Sequence, residues 1–319
     1  MGFFVAKTVV RKLDCSGWHG MKTLLIVNPT AGQGRPQELL AEADAFTREF
    51  VSEIIVTQSS GHAEAAARRA AENRSAECVL VAGGDGTVNE VLNGLLAGRS
   101  DDGATLPMGI IPLGTQNVLA HELGVPRGGF AEIAEMVRKG HTRDIDVGEA
   151  QGRYFALMAG FGFDAAVVGE IVQPMKELMG PAAYVFGTLG ALAKYRSTSI
   201  KLTLDSEEIR TEAFLVVVAN SALYAYRQIR LAPFAVVDDG WLDICVFERA
   251  PTDRVGFLTQ IMAALAGRHL KDPRVRYYRA RRIQIESDPP IQGQLDGDMY
   301  HYTPMTITLE PRALRVLTP

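Results

Sequence analysis

The run Cys78 to Ala82 is short and apolar, and it breaks at once into Gly83-Gly84-Asp85-Gly86-Thr87. Beyond the glycines, Val88, Val91, Leu92, Leu95 and Leu96 recur at helical spacing. A buried strand turning through glycines straight into a helix is one step of a strand–helix–strand unit. The neighbouring sequence repeats the step. Thr23 to Val27 is an apolar run ending at Asn28, followed by Leu39, Ala43, Phe46 and Phe50 at helical spacing. Glu53 to Thr57 is a second strand, with Ser59, Ser60 and an Ala/Glu/Arg-rich helix to Asn73 after it. Met108 to Ile111 is a fourth, again with a helix beyond. Strands joined by helices of this length require right-handed crossovers and a parallel sheet.

The pattern changes near Asp144. Ile200, Leu202 and Leu204 alternate with polar residues, as do Ile283 and Ile285, then Met305, Ile307 and Leu309. Period-two patterning with few helices predicts mostly antiparallel sheet. Helices are expected from Pro181 and between Asp253 and Ala266. The fold class is therefore α/β in two domains. Residues 22–144 form an α/β domain with a mainly parallel sheet, to which residues 305–319 can return. Residues 145–304 form a β-rich domain, and residues 1–21 a loose extension.

A chain of 319 residues has room for both domains. Its net charge of -4 argues against a nucleic-acid binder that works through bulk electrostatics. Cys15, Cys78 and Cys245 are odd in number and far apart, which excludes a disulfide scaffold or a thiolate zinc site and fits a cytoplasmic protein. The apolar runs Ala182 to Ala193 and Ala213 to Tyr226 fall short of the ~20 residues that cross a bilayer. No signal peptide is read in the first twenty residues.

Ligands of a parallel α/β sheet gather beyond the carboxyl ends of its strands. Polar or glycine-rich turns stand at four such ends: Asn28-Pro29-Thr30-Ala31-Gly32, Thr57, the Gly83 to Thr87 turn, and Pro112-Leu113-Gly114-Thr115-Gln116-Asn117. Any one is an ordinary connection; four along one edge point to a phosphate site, because glycines admit a phosphate close to backbone N–H groups. GxxxxGK[ST], a complete GxGxxG, HExxH and GxSxG are all absent.

These turns resemble the diacylglycerol kinase catalytic-domain family, which includes soluble bacterial lipid kinases and the sphingosine kinases. GGDGT-x-NE at Gly83 to Glu90, the NPxxG loop and the PxGTxN turn occur in the family's order. Asp144-Ile145-Asp146-Val147-Gly148, Phe161-Gly162-Phe163-Asp164-Ala165, Asp238-Asp239-Gly240-Trp241-Leu242 and Asp296-Gly297-Asp298 follow in the expected places, so the resemblance runs from about Lys22 to the C-terminus. It implies a two-domain kinase holding ATP on the first domain, with lipid entering the cleft between the two. Asn28 to Gly32, Thr57, Gly83 to Asn89, Glu90, Gly114, Thr115 and Asn117 are implied as the nucleotide site. Asp85 is implied to bind magnesium. Asp298, with Asp296, is implied as the catalytic acid pair, Asp298 being the general base in place of the more common Glu; Asp85 is the other candidate base. Asp-Gly between alternating strands is also an ordinary hairpin signal. Asp239, with the backbone carbonyls of Val236 and Trp241, matches a structural magnesium site. Val118 stands where many diacylglycerol kinases carry Asp, which weakens the case for diacylglycerol itself as substrate.

The expected reaction is transfer of the γ-phosphoryl group of Mg-ATP to a hydroxyl of a lipid such as diacylglycerol or a sphingoid base. Two alternatives remain: an NAD kinase-like enzyme, though no TPTGSTAY-like signature follows, and a catalytically silent lipid-binding regulator. The partner is a lipid at a membrane surface reached without insertion, with the helix from Pro181 (Phe186, Leu189) as the expected contact. Oligomeric state is left open, with a homodimer among the options.

Overall fold

A computed structural model describes residues 11–12, 22–31, 44–100, 103–127, 130–163, 196–224, 229–249 and 254–319. The chain divides into two compact units. The first is Met1–Val147 with Val237–Asp239 and Glu310–Pro319; the second is Gly148–Val236 with Gly240–Leu309.

In the first unit, β2 (Thr23–Val27), β3 (Glu53–Val56), β4 (Cys78–Gly83) and β5 (Met108–Pro112) pair in parallel in the order β3-β2-β4-β5. Every residue of β2 and β4 is buried, as strands covered on both faces require, whereas edge strand β3 leaves Ile54 and Val56 exposed. α1 (Asp44–Phe50), α2 (His62–Asn73), α3 (Asp85–Ala97), α4 (Val118–Glu122) and α5 (Phe130–Lys139) lie between and after these strands. α2 turns five of its six alanines inward and packs against α3 so closely that a Cβ on Gly94 would collide with the Glu64 carbonyl. β1 (Arg11–Lys12) pairs with His141 and Thr142 of β6 (His141–Ala150), so this piece of the extension, expected to be loose, is tied to the sheet.

The end of the chain returns to the first unit, where Val316 of β16 (Met305–Leu317) pairs in parallel with Met108. The return is held by acids of the Asp144-Ile145-Asp146 stretch. Asp146 is fully buried and accepts the Arg312 N–H at 2.7 Å, while Asp144 accepts Arg315 Nε at 2.7 Å. Asp238 takes Arg143 in a two-pronged ion pair, and the Asp146 N–H donates to the Val237 carbonyl. This explains why Val237–Asp239 group with the first unit, a placement that sequence patterning does not reveal.

The second unit is antiparallel. β10 (Glu207–Ala219) is its spine, pairing with β8 (Met158–Gly162), β9 (Thr198–Leu204) and β11 (Leu242–Glu248). β12 (Val275–Ala280) extends it beyond β11, and β13 (Arg282–Asp288) beyond β9. The uniform apolar run at Ala213 has a simple cause. Val216 and Val218 enter one core with Ile244 and Ile283, while Leu215 and Val217 enter a second with Cys245 and Phe247, so both faces are covered. The second core is roofed by α6 (Arg254–Leu265), whose Phe257 stacks on Phe214 at 4.4 Å between ring centroids and meets Phe163 edge-on at 4.9 Å. Asp164, Ala165 and the expected helix from Pro181 lie outside the described residues.

Candidate active site

Three turns of the first unit are tied together at the carboxyl ends of β2, β4 and β5. The Gly83 carbonyl accepts the N–H groups of Leu113 (3.0 Å) and Gly114 (3.2 Å). Gly84 and Gly114 then meet backbone to backbone: a Cβ on Gly114 would lie 2.5 Å from Gly84 Cα and 2.8 Å from Asn117 Oδ1. Only a hydrogen fits on Gly114 there, so that position requires glycine. Asn117, at φ 49°, closes its own turn, accepting the Gly114 N–H on Oδ1 and donating Nδ2 to the Gly114 carbonyl.

Asn28 joins the first turn to the second. Its N–H donates to the Ala82 carbonyl, its Oδ1 accepts the N–H and hydroxyl of Thr30, and its Nδ2 donates to Thr87 Oγ1 at 2.9 Å. Thr57 is buried and donates its N–H to the Val27 carbonyl. The side chain of Thr87, also buried, fills the space beside Gly83. Pro29, Thr30 and Ala31 complete the first turn; Gly32 lies outside the described residues.

Asp85 opens α3, yet it caps a different helix: its Oδ1 accepts the Val118 N–H, the first of α4, at 2.6 Å. The carboxyl keeps some exposure but is crowded by protein. That desolvation raises its pKa above the usual carboxylate range, against the opposing pull of the α4 backbone N–H groups. A hard divalent cation restores preference for the charged form, and oxygen ligation by such a carboxylate suits magnesium. The first-turn N–H groups of α3, at Gly86 and Thr87, have no carbonyl one turn back to receive them. Gly86 is exposed and open on its Cβ side. The N–H groups at the start of α3, a glycine-lined approach and one carboxylate form a donor set that fits Mg-ATP.

Several residues expected to touch the nucleotide make hydrogen bonds within the protein. Glu90 turns its carboxylate to Ser60 Oγ and to the N–H groups of Gly61 and Ala63, capping α2. Asn89 is buried and accepts Asn93 Nδ2 on both its carbonyl and its Oδ1. Sequence reasoning passed over Arg127, whose Nη2 donates to the Thr115 and Gln116 carbonyls; an arginine across a loop leaves no periodic signal.

In the second unit, β14 (Gln292–Leu295) and β15 (Asp298–Tyr302) form a hairpin whose turn is Asp296 at φ 47° and Gly297 at φ 92°. Asp298 sits exposed at the first position of β15. Asp296 does something else. Its two oxygens accept three successive backbone N–H groups, those of Ala156, Leu157 and Met158, each at 2.9 Å. Asp296 therefore clamps the turn to the 156–158 loop. Asn220, fully buried within an apolar strand end, donates Nδ2 to the Ala156 carbonyl and fixes the same loop. A lone Asn in such a run was its only sequence signal. Of the proposed structural metal ligands, Asp239 belongs to the first unit and Val236 and Trp241 to the second. Among the described residues no group of three or more His, Cys, Asp or Glu could hold a metal ion.

The diacylglycerol kinase catalytic domain matches residues 22–150, and the YegS C-terminal NAD kinase beta sandwich-like domain matches residues 158–318. A diacylglycerol kinase of Bacillus subtilis (strain 168) is 32% identical over 278 residues, covering 86% of this chain and 88% of the relative. One from Staphylococcus saprophyticus is 28% identical over 297 residues, covering 92% and 94%. A crystal structure of a diacylglycerol kinase from Bacillus anthracis str. Sterne superposes with a TM-score of 0.75 at 28% identity, covering 94% of this chain and 97% of that one. The chain belongs to the diacylglycerol kinase family and is a lipid kinase.

Proposed function

We propose that this lipid kinase transfers the γ-phosphoryl group of ATP, with magnesium, to the hydroxyl of a membrane lipid such as diacylglycerol or a sphingoid base. The observation that carries the reading is the meeting of the Gly84 and Gly114 turns beside Asp85. When bound, Mg-ATP supplies the phosphoryl group, and its metal neutralises charge on the phosphates. The chain supplies the rest. Backbone N–H groups of Gly86 and Thr87 hold phosphate oxygens, Asn28 and Thr87 fix the geometry of the turn that presents them, and Asp85 provides a carboxylate for the cation. A lipid alcohol becomes a competent nucleophile only when its proton has somewhere to go. Asp298 is the acceptor, held in place by the Asp296 clamp. Diacylglycerol is the first substrate to test, although Val118 buries an apolar side chain where an acid is common in the family.

Radiolabelled ATP offered with dispersed lipids tests the proposal. The expected result is label in a lipid that depends on magnesium. Label in NAD with none in any component of a total lipid extract, or no transfer at all, refutes it.

A further inference from the structure

α6 has two faces, and both are apolar. Phe257, Gln260 and Ala264 point inward and are buried, Gln260 donating Nε2 to the Glu248 carbonyl. On the opposite side Val255, Met262 and Leu265 are 66%, 58% and 50% exposed. At ~100° per residue these three fall within one arc, with Thr259 and Ala266 completing an exposed strip that carries no charge. Burial against the second core accounts for one face of the helix. It leaves the other unexplained.

Charge distinguishes the possible occupants. From Asp253 to Lys271 the sequence holds Arg254, Arg268 and Lys271 against the single acid Asp253, and from Val255 onward no Asp or Glu, within a chain whose net charge is -4. Arg268 and Lys271 are exposed just past the end of the helix, and the first acid beyond them, Asp272, is already paired with Arg274 at 2.8 Å. An apolar strip with exposed cations just past its C-terminal end complements a surface that is apolar within and anionic at its boundary. A second copy of the chain complements it less well, because the helix itself holds no acid to receive the Arg268 and Lys271 of a partner.

We propose that the outward face of α6 is the surface by which the protein docks on an anionic lipid bilayer, with Val255, Met262 and Leu265 entering the interface and Arg268 and Lys271 meeting headgroup phosphates. The proposal rests on the lipid kinase reading, which gives the protein reason to visit a bilayer. No helix among the described residues is long and apolar enough to cross one.

The test uses the full chain, with vesicles of phosphatidylcholine mixed with phosphatidylglycerol set against vesicles of phosphatidylcholine alone. Wild type is expected to sediment with the mixed vesicles. Met262→Gln with Leu265→Gln weakens that binding about tenfold or more, and Arg268→Gln or Lys271→Gln each weakens it about fivefold. Melting temperature, molecular mass by light scattering, and phosphorylation of a short-chain, water-dispersed diacylglycerol stay as in wild type. Unchanged vesicle binding by the variants, or none by wild type, overturns the proposal. A marked loss of melting temperature in the glutamine pair overturns it by making the face part of the core; a fall in molecular mass overturns it in favour of a second copy. Failure of wild type to phosphorylate any lipid strikes the catalytic reading and leaves vesicle binding as a separate result.

Discussion

Asp85 carries two loads that substitution can separate. Its carboxylate caps α4 through the Val118 N–H, and it is also the acid proposed to hold magnesium. Asp85→Asn keeps an oxygen at the capping position and loses only the charge. Asp85→Ala loses both, leaving the N–H of the buried Val118 without its acceptor, which costs about 1–2 kcal/mol. For a unit of this size that lowers the melting temperature by roughly 2–8 °C. The asparagine variant should melt no lower than wild type. Because burial raises the Asp85 pKa, the native state loses stability as pH rises and the group ionises. Asparagine has no such loss. Its advantage should therefore be largest at neutral and higher pH and fade as pH falls towards 3.8, the ordinary value for this carboxyl. Phosphoryl transfer should fall about 100-fold or more in both variants, since each removes the negative charge. The assays are thermal melts across pH and magnesium-dependent transfer of label from ATP. Wild-type turnover in Asp85→Asn refutes the metal role, and an asparagine variant as unstable as alanine refutes the capping argument.

Asp298→Ala is expected to lower kcat by roughly 10²–10⁴-fold with little change in KM for ATP, since a base acts only in the transition state; collapse of nucleotide affinity with normal turnover contradicts this. Asp296→Asn offers an amide where three N–H groups converge. It should cost about 1–3 kcal/mol of stability as well as turnover, a pairing that Asp298→Ala lacks. Gly114→Ala places a methyl 2.5 Å from Gly84 Cα, so melts should show roughly 1–3 kcal/mol of destabilisation along with lost transfer. His269 is buried, stacks on Phe247 and bonds through Nε2 to the Leu231 carbonyl, and burial lowers its pKa below 6.5. The unfolded chain therefore takes up this proton first as pH falls below 6.5, and stability drops through the same range. His269→Gln should flatten that part of the melting curve.

Much of the fold was legible because its signals are local. The strands at Thr23, Cys78 and Met108 lie within a residue of where apolar runs placed them, since a strand covered on both faces reads as a nearly continuous apolar run. The alternation at Ile200 and Ile283 survives as β9 and β13. Illegible parts depend on partners distant in sequence. Nothing near Arg312 announces that its N–H will meet Asp146, and nothing near Val237 that its carbonyl will receive the Asp146 N–H. These two bonds place short pieces of late sequence in the first unit.

The turns of the candidate site were legible in the sequence and the partners of their polar residues were not, for one physical reason. A turn that presents bare N–H groups to a phosphate must first satisfy its own backbone, because buried polar groups left without partners are costly. The polar residues of a phosphate-binding motif are therefore recruited inward. Asn28 binds Thr30 and Thr87, Asn117 binds Gly114, and Glu90 binds the start of α2. Sequence shows that such residues are present at the right spacing, but ligand contact and turn construction call for the same amides and carboxylates. The glycines discriminate better. Gly84 and Gly114 have no side chain with which to build, so their contact records where the backbone itself must come close. By the same logic Asp296 and Asp298, alike in sequence, differ in surroundings: the carboxylate of Asp296 is taken up by three N–H groups, while Asp298 two residues later is exposed.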